Sequence, residues 1–315
     1  MEKEGEKDNL ILFELLQNCR QSLSKIAKST KLPQQTISYR IKKMEDTGII
    51  KKYSINVDYS KLGYSRHSLY LDIHGLDFET VNNYLESISR IDEVSCCYTL
   101  HNLSRWKIYI SIWAKDIGRY DEIQTAVLTK FKNHIKNYLS FQSVKSSTYF
   151  ARVLNPKKKA KVDIKGKVSY IELKERDWKI IRELSKNAKI PIVDLAHKIK
   201  SPVATVQSRI RFMKDKEIIQ RFYCVLDLKK LNMLEYNFIV RVDPAYEKEL
   251  HNFMKLADTD PRFSIVIKAV GYVNLYYSFI ARDDKEYNEL TQKIEKAFGK
   301  GILETHKIIN EDVIN

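Results

Sequence analysis

Between residues 8 and 47 the apolar positions recur three and four apart, the spacing of one face of a helix. Leu10, Ile11, Leu15 and Leu16 make one stripe; Leu23, Ile26 and Ala27 make a shorter one behind Ser22, whose hydroxyl suits a helix N-cap; Ile37, Ile41 and Met44 make a third. Pro33 precedes the third stripe, where a first helical residue has no intrahelical use for its N–H. The period then changes. Gly48-Ile49-Ile50-Lys51-Lys52-Tyr53-Ser54-Ile55 reads as a strand opening a short hairpin, the wing of a winged helix-turn-helix.

Beyond residue 64 the pattern alternates. Leu69, Leu71 and Ile73 predict a strand, Val81 to Ile88 a helix, Val94 to Leu100 a second strand, and Trp106, Ile108, Ile110 and Ile112 a third. Tyr120 to Ile135 predicts another helix and Phe141 to Phe150 a closing strand, which completes a βαββαβ, ferredoxin-like plan.

The same series then repeats. With a shift of 169 residues, Asp8 to Tyr64 aligns with Asp177 to Met233 without a gap, and Asn18/Asn187, Pro33/Pro202, Arg40/Arg209, Met44/Met213 and Asp58/Asp227 are among the identical pairs. A shift of 167 then matches Ser111/Ser278, Asp116/Asp283 and Tyr120/Tyr287. In the second copy Ser201-Pro202 supplies an N-cap and the helix-opening proline, Glu217 to Tyr223 the strand after the third helix, Tyr236 to Val242 the opening strand of the β-rich part, and Leu275, Tyr277 and Phe279 its third strand. The expectation is an α+β chain in which two winged helix-turn-helix domains (1–64 and 170–233) alternate with two ferredoxin-like domains (65–151 and 234–315), joined by an exposed basic linker at 152–169 that includes Lys157-Lys158-Lys159 and Gly166.

Charge follows this division. The net charge is +15, and the helical domains contribute +4 and +7 and the linker +6, against +1 and −3 for the two β-rich domains. A solubility role would not require that distribution, whereas counterion release from a polyanion would exploit it. No uncharged apolar run approaches the roughly 18 residues of a membrane helix, and Met1 to Asp8 lacks the apolar stretch of a secretory signal, so no membrane is expected and the cytoplasm is the expected location. Cys19, Cys96, Cys97 and Cys224 have no metal-binding spacing and read as buried thiols.

With Ile37, Ile41 and Met44 facing the core, the third helix turns Gln34, Gln35, Thr36, Ser38, Tyr39, Lys42, Lys43 and Asp46 outward, and the second copy turns out Ala204, Thr205, Gln207, Ser208 and Arg211. Amides, hydroxyls and cationic groups are what base edges and phosphates accept from a helix in the major groove. Lys51, Lys52 and Arg221 on the following strands are expected to touch phosphates, while Arg40 and Arg209 fall near the core edge and suit a structural or phosphate-positioning role.

Ser22-Leu23-Ser24-Lys25-Ile26-Ala27, Thr36 to Glu45, Gly48 to Tyr53 and Asp58 to Gly63 resemble the DNA-binding domain of the Lrp/AsnC (feast/famine, leucine-responsive) transcription regulators, and the β-rich units resemble the effector, or RAM, domain of that family. The resemblance covers nearly the whole chain, although two copies in one polypeptide depart from the usual single-copy form. It implies sequence-specific binding of double-stranded DNA, modulation by a small molecule such as an amino acid, and pairing of effector domains. Here the two effector domains are expected to pair within one chain, which leaves room for a further homo-oligomer. The implied effector turn is Gly271-Tyr272-Val273-Asn274; copy one has Ser104-Arg105-Trp106-Lys107 and no glycine. Because the two outward faces differ, an asymmetric DNA site is expected.

The tandem form is also similar to siroheme decarboxylases, for which His101, Arg105 and the Asn274-Leu275-Tyr276 strand start are the available residues. Val203, Ala204 and Phe212 further admit a second head kept only for protein pairing. No phosphate loop, catalytic carboxylate pair or nucleophile motif stands out, so a regulator rather than an enzyme is expected, with no cofactor, metal or catalytic residue.

Overall fold

A computed structural model of the chain describes residues 2–101, 104–149, 152–158, 160–164 and 169–308. Phe150 of the expected closing strand and Lys159 and Gly166 of the expected linker lie outside the described residues. In the first half run α1 (Glu2–Gln17), α2 (Leu23–Thr30), α3 (Gln34–Asp46), β1 (Ile50–Val57), β2 (Ser65–Ile73), α4 (Phe78–Ser89), β3 (Val94–Thr99), β4 (Ile108–Ala114), α5 (Ile117–Phe131) and β5 (Ile135–Thr148). After β6 (Val162–Ile164) come α6 (Glu175–Lys186), α7 (Ile192–Lys198), α8 (Val203–Asp215), β7 (Ile219–Leu226), β8 (Leu234–Val242), α9 (Glu247–Thr259), β9 (Phe263–Gly271), β10 (Leu275–Ala281), α10 (Asp284–Phe298) and β11 (Ile302–Ile308). The closing strand β5 begins six residues earlier than the apolar pattern suggested, because α5 stops at Phe131.

Tertiary structure sorts the alternating copies by kind. One compact unit comprises Met1–Leu62, Tyr149–Val162 and Tyr170–Leu234, and the other Gly63–Thr148, Asp163–Ser169 and Glu235–Asn315.

In the helical unit, Ile37, Ile41 and Met44 are buried against α1 and α2, as their spacing requires. Ser22 caps α2 by accepting from the Lys25 N–H. Pro33 and Pro202 are themselves the N-cap residues of α3 and α8, at extended ψ of 143° and 141°. They therefore stand one position ahead of the first helical residue, and Ser201 is not the cap that was expected. Three left-handed backbone positions recur at the same shift: Lys31 and Lys200 after the second helices, Gly48 and Glu217 after the third, and Gly63 and Asn232 after the strands.

The expected hairpin wings are absent among the described residues. Instead β1 and β7 pair with each other as a two-stranded antiparallel ribbon, with Ser54 opposite Tyr223. Those two residues are themselves equivalent in the duplication, so a local two-fold relation passes between them. The flanking hydrogen bonds obey it. Cys19 N donates to Phe222 O and Ala188 N to Tyr53 O; Asp58 N donates to Ile218 O and Asp227 N to Ile49 O. Each head thus completes the other's backbone bonding, the isologous arrangement of a two-fold dimer. Part of the expected exposed linker is also packed: Val153 and Leu154 are buried, and the Arg152 guanidinium lies 4.2 Å from the centre of the buried Tyr149 ring.

The other unit is one nine-stranded sheet in the order β11-β8-β10-β9-β5-β2-β4-β3, with β6 beside β5. Each half of that order is a βαββαβ sheet, and the β5–β9 pair joins them. Asp116 and Asp283, identical in the two copies, cap α5 and α10 by accepting from Arg119 N and Glu286 N, both at 2.8 Å. On one face of the first half, Leu69, Leu71, Ile108, Ile110 and Ile112 pack with the apolar sides of α4 and α5. The other face is also buried: Tyr70, Trp106, Tyr109 and Phe141 form a second core with Ile239, Val273 and Ile308 of the second half. Ile308 on the last strand belongs to this core with Leu100 of the first half, so the sheet curls back on itself.

Gly271 sits at the β5–β9 junction opposite Phe141, with φ of 145°. A Cβ there would lie 2.9 Å from the Ser140 carbonyl oxygen and 3.1 Å from the Phe141 Cα. Backbone, not a movable side chain, occupies the space. Gly271→Ala is expected to lower stability by about 2 kcal/mol in urea unfolding, since both the torsion and the contact oppose a side chain.

Candidate nucleic-acid interface

Three short helices hold each outward face in place. On α3, Gln34, Gln35, Ser38, Tyr39, Lys42 and Lys43 are exposed and Thr36 is half-buried, and Tyr39 keeps 68% of its surface. A large aromatic group standing that far out of a small domain has no packing role. On α8, Ala204, Gln207, Ser208 and Arg211 are exposed and Thr205 is half-buried. The α3 face is a polar strip that carries Lys42 and Lys43, and the α8 face sets Thr205, Gln207, Ser208 and Arg211 beside Ala204. The strips differ at equivalent positions: Gln35, Tyr39 and Lys42 correspond to Ala204, Ser208 and Arg211. Lys43 corresponds to Phe212, which is half-buried under the Arg209 guanidinium at 4.2 Å.

Arg40 and Arg209 are structural. Arg209 forms a two-pronged pair with Asp177, Nε to Oδ1 and Nη2 to Oδ2, both at 2.7 Å, and so ties α8 to α6. This carboxylate raises the arginine's pKa by bonding to its charged form. The Asp177 side chain has no exposed surface and also accepts from the Lys174 N–H at the start of α6. Arg40 makes the equivalent bond to Asp8 at 2.8 Å, tying α3 to α1.

On the strands the expected phosphate contacts divide. Lys51 and Lys52 are exposed, and Lys51 lies 3.6 Å from the Asp227 carboxylate. Arg221 is not available: only 5% of its surface is exposed, and Nη1 donates to the Leu16 carbonyl at 3.5 Å. Burial opposes its charge and lowers its pKa. Because β7 pairs with β1 rather than forming a wing, the side chain points into the joint between the heads.

Two sets of exposed cations escaped the sequence reading. Lys25 and Lys28 stand exposed on α2, the helix that crosses the DNA backbone in this motif. Their i, i+3 spacing on a helix was the available signal. The equivalents in copy two are Asp194 and His197, a further difference between the heads. In that copy Lys174, Arg176, Lys179, Lys198 and Lys200 instead border an open basic concavity. They come from α6 and the end of α7, so no local pattern announces them.

In the β-rich unit, the turn expected to hold an effector is engaged by the fold itself. Asn274 accepts from Val242 N at 2.8 Å and donates to Val242 O at 2.7 Å, clamping β8. Val273 is fully buried, the Tyr272 hydroxyl donates to Glu304 at 2.7 Å, and Gly271 meets the backbone constraint described above. In the corresponding turn of copy one, Arg105 pairs with Asp72 at 3.8 Å and lies over Trp106. Cys19 and Cys224 are buried, and burial pushes the Cys19 thiol up to about 11; Cys96 and Cys97, expected to be buried too, are half-exposed. Among the described residues no helix is long and apolar enough to cross a membrane.

Comparison with known proteins supports the duplicated heads. A family model described as winged helix-turn-helix DNA-binding matches twice, at residues 6–51 and 173–220. The transcriptional regulator AzlB of Bacillus subtilis is 33% identical over 116 residues, covering 36% of this chain and 73% of that protein. The HTH-type transcriptional regulator LrpC of the same organism is 26% identical over 102 residues, covering 32% and 69%. The crystal structure of the siroheme decarboxylase NirDL superimposes with a TM-score of 0.61 over 96% of this chain and 90% of that one, at 13% identity. That last likeness is one of tandem fold.

The arginine–aspartate ties can be tested separately from DNA binding. Arg209→Met leaves the Asp177 carboxylate buried with one backbone donor, and is expected to lower stability by about 2 kcal/mol in urea unfolding. Arg40→Met, whose partner is single-pronged and more exposed, should cost about 1 kcal/mol or less.

Proposed function

The chain belongs to the Lrp/AsnC family of DNA-binding transcription regulators, in a tandem-duplicated form, and we propose that it reads one asymmetric duplex site with two non-identical recognition helices, α3 and α8. The observation that carries this reading is the β1–β7 ribbon: its reciprocal bonds hold two heads in a two-fold relation while their outward side chains differ. Two-fold proteins read palindromes because equal heads meet equal half-sites. Unequal heads on the same frame prefer unequal half-sites.

In this reading Gln34, Gln35, Thr36, Ser38, Tyr39, Lys42 and Lys43 serve one half-site. Ala204, Thr205, Gln207, Ser208 and Arg211 serve the other. Lys51 and Lys52 add phosphate contacts, as do Lys25 and Lys28. The decarboxylase alternative has less support. The relatives matched by sequence are named transcriptional regulators, whereas the likeness to the decarboxylase is one of fold at 13% identity.

Binding selection from random duplex DNA, at stated salt, tests the proposal. The expected product is a site with two different halves. Tyr39→Ala should weaken binding about tenfold through one half and Arg211→Ala about tenfold through the other, while Lys42→Ala should also reduce the salt slope by about 1. Lys248→Ala, on an exposed helix position of the other unit, should change neither. A perfect palindrome read equally by both heads would overturn the asymmetry, and indifference to every duplex in dilute salt would overturn DNA reading.

A further inference from the structure

Within the β-rich unit, on the sheet face turned away from α4 and α5, lies a cavity of about 150 Å3. Arg66, Ser68 and Tyr70 alternate along β2 on this face, while Leu69 and Leu71 point to the helices. The guanidinium donates to the Tyr109 hydroxyl at 3.1 Å and to Ser111 Oγ at 3.4 Å. Among the described residues no carboxylate stands within 4 Å of it. It remains charged, its pKa raised chiefly by the neighbouring Tyr109 oxygen.

Arg66 is half-buried, and a cation partly withdrawn from water normally has an acid beside it, since an uncompensated charge there is costly. Elsewhere in this chain Arg262, also half-buried, has Asp260 at 2.7 Å. The duplication shows how Arg66 differs. Its equivalent in copy two is Glu235, and the neighbours are equivalent as well: Tyr109 with Tyr276, Ser111 with Ser278. Glu235 is engaged by Ser278 at 2.9 Å and does not line the cavity; the Tyr98 and Tyr276 phenols are raised chiefly by burial, with the Glu235 charge adding to it. A homodimer would present two like groups at these places; the tandem chain presents one cation to the cavity and no lining anion.

Around Arg66 the lining offers donors without partners. The hydroxyls of Tyr70 and Tyr98 make no hydrogen bond within the described protein, whereas Tyr276 is committed to Asn237 at 2.7 Å. Burial holds the Tyr70 and Tyr98 phenols well above their ordinary pKa, so both keep a proton to donate. The remaining wall is apolar, with Phe141, Ile265 and Ile267.

We propose that this cavity binds a small monocarboxylate with an apolar body, its carboxylate held by Arg66 with the phenols of Tyr70 and Tyr98, its body against Phe141 and the isoleucines. The volume suits about six to nine non-hydrogen atoms, on the scale of a cavity that accommodates benzene. A single cation without an anionic lining residue selects a 2-oxo acid or aromatic acid over a zwitterion, whose ammonium would find no carboxylate. No residue of the Gly271-Tyr272-Val273-Asn274 turn lines this cavity, and the proposal is independent of DNA reading.

Calorimetric titration of the full chain without DNA tests it, using benzoate, its neutral isostere benzamide, 4-methyl-2-oxopentanoate and leucine. Benzoate should bind at least about tenfold more tightly than benzamide, which forfeits the charge-assisted pair, and the oxo acid more tightly than leucine, whose ammonium would be withdrawn from water with no acid to meet it. Arg66→Gln should remove at least about tenfold of the benzoate affinity, and Tyr98→Phe about threefold to tenfold, the latter with an unchanged thermal melt. Should Arg66→Gln not melt cooperatively, Tyr98→Phe and the cavity-filling Ile267→Trp decide the matter, each expected to weaken benzoate without affecting DNA affinity. Equal binding of benzoate and benzamide, preference for leucine, full affinity in the Arg66 or both remaining variants, or no heat from either acid at about 10 mM would overturn the proposal.

Discussion

The ribbon between β1 and β7 is the constraint on which the paired heads depend. A strand leaving a helix-turn-helix carries backbone donors and acceptors on both edges, and a buried unpaired edge is costly. In this chain the edge that a wing would cover is covered by the other copy. Ser54 opposite Tyr223, and the reciprocal bonds of Cys19 and Ala188 and of Asp58 and Asp227, lock the register. Arg20 adds a cross-link, donating through Nη1 to the Ala188 and Ile190 carbonyls at 2.7 and 3.0 Å. Two recognition helices attached to such a joint cannot turn independently without breaking these bonds.

The β-rich unit solves a similar problem by joining β5 to β9, which makes one sheet of two ferredoxin-like halves. The solution requires a residue without a side chain at the point of closest approach, and Gly271 supplies it. It also turns what would be the solvent face of each half into a second core, where Tyr70, Trp106, Tyr109 and Phe141 meet Ile239 and Val273. Tyrosine suits such a surface because its ring can be buried while its hydroxyl reaches a polar partner or a cavity.

The duplication separates two kinds of polar residue. Many polar side chains that are identical in both copies serve the backbone: Asn18 and Asn187 accept from the N–H two residues on, Asp58 and Asp227 do the same, and Asp116 and Asp283 cap helices. Asp8 with Arg40 and Asp177 with Arg209 fasten the first helix to the third. The outward faces of α3 and α8, and the pair Arg66 and Glu235, differ between copies, and these are the places to which the proposals above assign chemistry toward another molecule.

The sequence by itself determined the elements and their repetition. Helical and alternating periods, the Ser22 cap and the ungapped shift are local properties of the chain, and so the outward faces of the recognition helices were legible too, because burial of Ile37, Ile41 and Met44 leaves only one side free. Tertiary structure alone decided which edges pair. A strand's sequence states that its backbone needs partners but not which strand provides them, and therefore the wings became a ribbon, Arg221 was drawn into the joint, and part of the basic linker was packed. The cavity was likewise hidden: Arg66, Tyr98 and Ile267 come from three strands far apart in the chain, and only the curl of the joined sheet brings them around one space.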